Sequence, residues 1–235
     1  VHGYGLGAGT LASRLEILFD DGRRLAREDL LRTLSPGQAV GEALSPVSYV
    51  SASDFAPFAV RAVSIDLTLD PDIRAAEVLE VQTESSVRPG GTVEARIRLR
   101  HHRGAEEVLR VRLPVPEAFF EDELVVMAGS PLAFYNWDRE RAPGKYVPRS
   151  FDHLLELLAD YPSDEMLIVR LFGPARGAVH RDRELSALPL SKWGAMTEAR
   201  GGGILAVAGM TVAEVRVPTG EVVAGGAFTT VAVKP

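Results

Sequence analysis

The side chains able to react are few, and their spacing argues against a reaction. The 235-residue chain has five histidines and no cysteine. Disulfides, thiolate metal sites and cysteine nucleophiles are therefore excluded. His101-His102 is the one histidine pair, but neighbours on a strand point to opposite faces and do not easily grip one ion. His2, His153 and His180 are isolated, and His153 is expected to face solvent. Glu117, Glu121, Asp122 and Glu123 cluster near a turn. Paired carboxylates do acid/base work when one is desolvated. A calcium loop needs a defined oxygen spacing around a central glycine, which is missing here, so the cluster reads as a solvated turn. The glycine-rich start, Val1 to Thr10, lacks both the P-loop ending and the G-x-G-x-x-G spacing. It reads as a closely packed strand edge. No metal or cofactor site is expected. Phe134, Tyr135, Trp137 and Tyr146 form an aromatic group near a loop. It reads as packing in a core or between domains, and is also the candidate surface for a partner or a sugar.

Several segments alternate apolar and polar residues, as strands with one face in a core and one in water do. The clearest is Thr92–Arg100, with Val93, Ala95, Ile97 and Leu99 on one side and Glu94, Arg96, Arg98 and Arg100 on the other. Leu109 to Val115 is its expected partner, and Pro114 and Pro116 place that partner at an edge. Leu15, Ile17 and Phe19 before Asp20-Asp21-Gly22 predict the first arm of a hairpin. Arg27 to Leu34 predicts a short helix with Leu30, Leu31 and Leu34 on one face, ended by Ser35-Pro36-Gly37. Residues 41–58 read as a connector. Further strands are expected at 63–69, 79–81, 124–127 and 166–172. Ser150 is expected to cap a helix whose Phe151, Leu154, Leu155 and Leu158 share a face. A Gly-, Pro- and Arg-rich loop runs to about 192. Strands at 204–209, 211–217 and 226–233 close the chain, with 212–223 read as a hairpin.

This pattern predicts a mainly β protein: a hairpin and connector over 1–58, an immunoglobulin-like β-sandwich over 59–134, and a β-rich unit over 135–235 with a helix near 151–160. The net charge of −6 argues against nucleic acid as a partner. No apolar run reaches the length of a membrane span, so any membrane association is expected through partners. Val1 in place of Met reads as a processed or truncated end with a segment upstream.

Met127-Ala128-Gly129-Ser130-Pro131 resembles the nucleophile motif Gly-Met-Ser-Gly-Ser-Pro of SpoIVB-type serine peptidases. Ala128 occupies the possible nucleophile position and has no oxygen to attack with, and Ser130 falls on a structural position. The segment therefore reads as a strand end followed by a turn. Other stretches, in matching order, resemble the non-catalytic C-terminal region of proteins that carry this peptidase domain. They are Leu15–Gly22, Val87–Val93, Leu113–Glu117, Ser150–Leu155, Asp164–Leu171 and Leu185–Ser191. The resemblance implies an exported, cell-envelope protein (periplasmic or extracellular) that interacts with other proteins of an assembly. No catalytic residue can be carried over from it. Two further readings are a serine peptidase, or the cleaved part of one, using Ser130, and a carbohydrate-binding module using Trp137 and Tyr135.

Overall fold

A computed structural model describes residues 8–33, 35–55, 58–119, 121–142, 144–174, 177–180, 183–185, 205–207 and 209–234. Among the described residues it is mainly β, with several sheets and four helices. The chain forms two compact units. The first comprises residues 1–76, 148–166 and 218–223, and the second 77–147, 167–217 and 224–235. These units cut across the expected segments 1–58, 59–134 and 135–235, because strand pairing joins residues distant in sequence.

In the first unit, β1 (Gly9–Phe19) runs antiparallel to both β2 (Arg24–Thr33) and β3 (Val60–Asp70), giving the order β2-β1-β3. The β1–β2 turn needs Gly22, whose φ of 88° is unfavourable for other residues. The helix expected over 27–34 is instead β2, which pairs residue by residue with β1 from Arg24 to Thr33. The connector at 41–58 is largely helical: α1 (Pro36–Ala43) and α2 (Ser45–Ser51) each carry proline in the first turn, where its missing N–H costs nothing. Ser35 therefore begins a helix, its hydroxyl accepting from the Gln38 N–H at 3.4 Å.

Helix α4 (Phe151–Asp160) follows the expected pattern. The Ser150 hydroxyl accepts from the His153 N–H at 3.1 Å, and Phe151, Leu154 and Leu155 are buried. These three pack with Leu15, Ile17, Phe19, Leu25 and Val50, with Leu158 partly buried against them. Phe151 stacks on Phe58 at 4.3 Å and meets Phe19 edge-on at 5.2 Å. His153 is buried rather than solvent-facing, because its Nδ1 accepts from the Arg149 N–H at 3.1 Å and so folds the ring back over the helix start.

The second unit holds β4 (Ala75–Gln82), β6 (Thr92–His101) and β7 (Glu106–Pro114) side by side, β7 at the edge. The alternation in β6 is realised: Val93, Ala95, Ile97 and Leu99 are buried, while Arg98 pairs with Glu80 and Glu106, and Arg100 with Glu77. A five-stranded sheet runs β13 (Met210–Pro218), β9 (Met166–Gly173), β8 (Glu123–Gly129), β15 (Gly226–Val233) and β5 (Ser86–Val87). A small sheet joins β10 (Gly177–His180) and β11 (Arg183–Leu185), both inside the expected loop, to β12 (Leu205–Val207), inside the strand expected at 204–209.

The hairpin expected over 212–223 does not form. β13 joins β9, whereas β14 (Val222–Ala224) is drawn away by bonds from the Val222 N–H to the Arg74 carbonyl and the Val223 N–H to the Asp164 carbonyl. Within the second unit, the segment 134–137 read as a loop border is helix α3 (Pro131–Arg141). No helix among the described residues is long and apolar enough to cross a membrane.

Candidate functional site

Within the second unit, α3 carries the buried Asp138 and three of the four aromatic residues singled out in the sequence. Gly129 makes the geometry possible: a side chain there would meet the Gly225 carbonyl at 3.0 Å and Gly226 Cα at 3.1 Å. Without one, the Ser130 N–H reaches the Gly225 carbonyl at 2.9 Å, and the Ser130 hydroxyl accepts from the Ala133 N–H at 3.2 Å. Ser130 is thus a helix N-cap with Pro131 behind it. Ala128 is fully buried in β8, opposite Val169 and Ala227.

At the other end of α3, Asp138 is 0% exposed. Its Oδ1 accepts from Arg141 Nε at 3.2 Å and Nη2 at 2.6 Å. Its Oδ2 accepts from Lys145 Nζ at 2.8 Å, Tyr146 Oη at 2.9 Å and Arg170 Nη1 at 2.9 Å. Arg141 also donates to the Gly209 carbonyl at 3.0 Å. Arg170 donates onward to Glu214, which accepts from Arg216 at 2.6 Å.

The cations lie against rings, Arg170 4.7 Å from the centre of Phe134 and Arg141 5.2 Å from that of Phe172. Burial by itself pushes the Asp138 carboxyl up, but the charges of Arg170 and Lys145 outweigh it and hold the carboxyl well below the usual range. Burial, then the Asp138 charge, pushes the Tyr146 phenol well up. For Arg170, burial is outweighed by Asp138 and Glu214, so its guanidinium stays charged. At neutral pH Asp138 is ionised, Arg170 is charged and the Tyr146 phenol is protonated. The hydrogen bonds of this cluster tie α3, residues 145–146, β9 and β13 together.

All four aromatic residues singled out in the sequence lie on α3 or the segment after it. Phe134 is 1% exposed and packs with Met127, Ile168 and Phe172. Tyr135 is half-buried, 4.8 Å from Tyr146. Trp137 is 38% exposed and lies 5.8 Å from Phe172. Sequence reasoning missed Asp138, Arg141, Lys145, Arg170 and Glu214. The available signal was Arg170, a lone charge inside the apolar run Met166–Phe172, which requires a buried counter-charge.

The first unit has its own carboxylate cluster. Arg27 on β2 donates through Nη1 to the Leu158 and Tyr161 carbonyls at the end of α4, each at 3.0 Å, and through Nη2 to Asp29 at 2.7 Å. Asp29 Oδ1 accepts from the N–H groups of Leu30 at 3.0 Å and Asp164 at 2.8 Å. The Asp164 carboxyl is pushed up to about 7 by burial first and the Asp29 charge second, against Arg27. An acid titrating near neutrality has one property of a general acid, but its backbone is bound on both sides, to Asp29 and to the Val223 N–H at 2.8 Å.

His101 ends β6 with its ring 3.1 Å from Glu107, and His102 lies in the following turn. Among the described residues, no three His, Asp or Glu side chains are grouped to hold a metal ion. Residues 1–7, with the glycine-rich start and His2, lie outside the described residues. The chain matches no protein-family model, no curated protein and no solved structure.

Proposed function

We propose that this chain is a non-catalytic interaction and structural module, a subunit or accessory scaffold of a larger cell-envelope assembly. The observation that carries the reading is the Asp138 knot. Four side chains with strong donors converge on one buried carboxylate and fix α3. The same region keeps Leu132 58%, Trp137 38% and Val147 59% exposed. Of these Trp137 is the anchor type that protein interfaces favour, with Leu132 and Val147 as apolar surface beside it. The envelope location and the immunoglobulin-like description of 59–134 rest on the resemblance and on the alternation in β4, β6 and β7. Against a peptidase stands the use of Ser130 as a helix cap and the burial of Ala128.

The test is a photoreactive benzoylphenylalanine at Trp137, compared with one at exposed Glu28, in envelope preparations of the source cells. One discrete heavier adduct from position 137, lost with Leu132→Glu, is the expected result. No adduct, or the same products from both positions, contradicts the proposal. The exposed Trp137 also favours a second reading, carbohydrate binding. A glycan panel that quenches its fluorescence at millimolar ligand would select that reading.

A further inference from the structure

The sheet of the first unit ends on an open strand. Strand β3 has a single neighbour, β1, among the described residues, and eight of its eleven residues are exposed with none buried. The exposure is uneven across one ladder. Ile17 on β1 is 0% exposed, but its cross-strand partner Val63 is 43% exposed. Leu67 lies on the same face, opposite Ser13, and is 36% exposed. Between them Ile65 packs into the core, and so does Leu69 beyond. Among the described residues, the apolar face of the sheet therefore runs out to β3 and ends there with Val63 and Leu67 exposed.

The two edges of this sheet differ. β2 carries Arg24, Arg27, Glu28, Asp29 and Arg32 in ten residues, a density of charge that discourages further pairing. β3 carries only Arg61, Asp66 and Asp70 in eleven. Its register shifts once, at the Leu18/Phe19 end, leaving Arg61 without a partner; from Ala62 to Asp70 the ladder is regular. That regular edge is about 30 Å long at the rise of an antiparallel strand.

We propose that β3 pairs antiparallel with β3 of a second copy of this chain, about a two-fold axis at Ile65. A two-fold axis normal to the sheet requires one residue to face itself, which leaves few registers. An axis at Asp66 sets two carboxylates directly opposite each other, a destabilising pair. An axis at Ile65 brings Ile65 onto Ile65 and each Val63 onto the partner copy's Leu67 position, covering both exposed side chains of each copy. On the other face it sets Ser64 against Asp66 twice, a hydroxyl donor against a carboxylate acceptor, and Ala62 against Thr68. No like charges are set directly opposite; the two Asp66 residues are diagonal neighbours about 7–8 Å apart. An axis at Leu67 leaves Val63 beyond the regular ladder. Charge and apolar surface thus select the same register, and the interface is isologous.

The native chain has no cysteine, so introduced thiols report the register directly. In the proposed pair, residue 63 of one copy faces residue 67 of the other, whereas within one strand the two are about 13 Å apart, beyond disulfide reach. The experiment is sedimentation of the full chain over a concentration series, with oxidation of Val63→Cys, Leu67→Cys and the double variant. The expected result is a concentration-dependent dimer, made monomeric by Val63→Lys with Leu67→Lys, and disulfide-linked in the double cysteine variant but in neither single one. Far-UV circular dichroism confirms that the lysine variant is folded. A monomer at every soluble concentration, a dimer that survives the lysines, or cross-linking by the single cysteines equal to that of the pair overturns the proposal. The adduct experiment at Trp137 is untouched by any of these outcomes.

Discussion

Asp138→Asn is the sharpest perturbation of the knot around α3. The substitution keeps the shape and one acceptor oxygen but replaces the second with an amide donor. If the remaining oxygen stays with Arg141, the new amide faces Lys145, Tyr146 and Arg170, three donors with nothing to accept them. Lys145 and Tyr146 are partly exposed and can turn to water, whereas Arg170 is 6% exposed and keeps only Glu214. Breaking a buried ion pair by removing one partner costs about 3–5 kcal/mol. With a urea slope of about 2–3 kcal/mol per molar for a chain of this size, the midpoint falls by roughly 1–2 M. The assay is urea unfolding at neutral pH followed by tryptophan fluorescence in a Trp193→Phe background, so that Trp137 on α3 is the reporter. The double variant Asp138→Asn with Arg170→Met should recover at least about 1 kcal/mol of the loss, because the two residues share one interaction. An Asp138→Asn midpoint within about 0.3 M of the parent would refute the reasoning, since Asp138 would then be a solvated charge.

Three further outcomes follow from the geometry. Asp164 binds its proton more tightly folded than unfolded, so the folded state holds more protons between about pH 4 and 7 and stability falls as pH rises through that window. The bound is about 4 kcal/mol, of which partial exposure leaves about 1–2, and Asp164→Asn should flatten the stability–pH curve there; an unchanged slope would refute the assignment. Asp138 has the opposite sign: its contribution is complete above about pH 4 and is lost only as pH falls toward its depressed folded value, which acid titration of the parent against Asp138→Asn will show. Ser130→Ala should cost about 1 kcal/mol as a lost N-cap, read by thermal unfolding, and no loss at all would mean that the Ala133 bond is immaterial.

What the sequence made legible was what local chemistry decides. β6 was readable because its apolar and charged residues alternate without interruption, and α4 because Ser150 caps a run with Phe151, Leu154 and Leu155 at helical spacing. β2 was misread because Leu30, Leu31 and Leu34 satisfy a helix face among good helix formers, and only the pairing with β1 settles the matter. α1 and α2 were missed because serine, glycine and proline resemble a connector unless Pro36 and Pro46 are taken as first-turn residues. The aromatic cluster was legible, but the buried charges beside it were not. Asp138 and Arg170 are 32 residues apart, and nothing in either segment announces that β9 will bring them together. The open edge of β3 was invisible for the same reason: strand order is a tertiary property.

If the chain acts through its surfaces, Ser130 serves only as the cap of α3 and Asp138 only as its anchor. The most direct measurement is treatment of the purified full chain with a serine-directed fluorophosphonate, followed by peptide mass spectrometry. No adduct at Ser130 is predicted, in the parent or in Asp138→Asn. A stoichiometric adduct at Ser130, with peptide hydrolysis that the adduct abolishes, would contradict it.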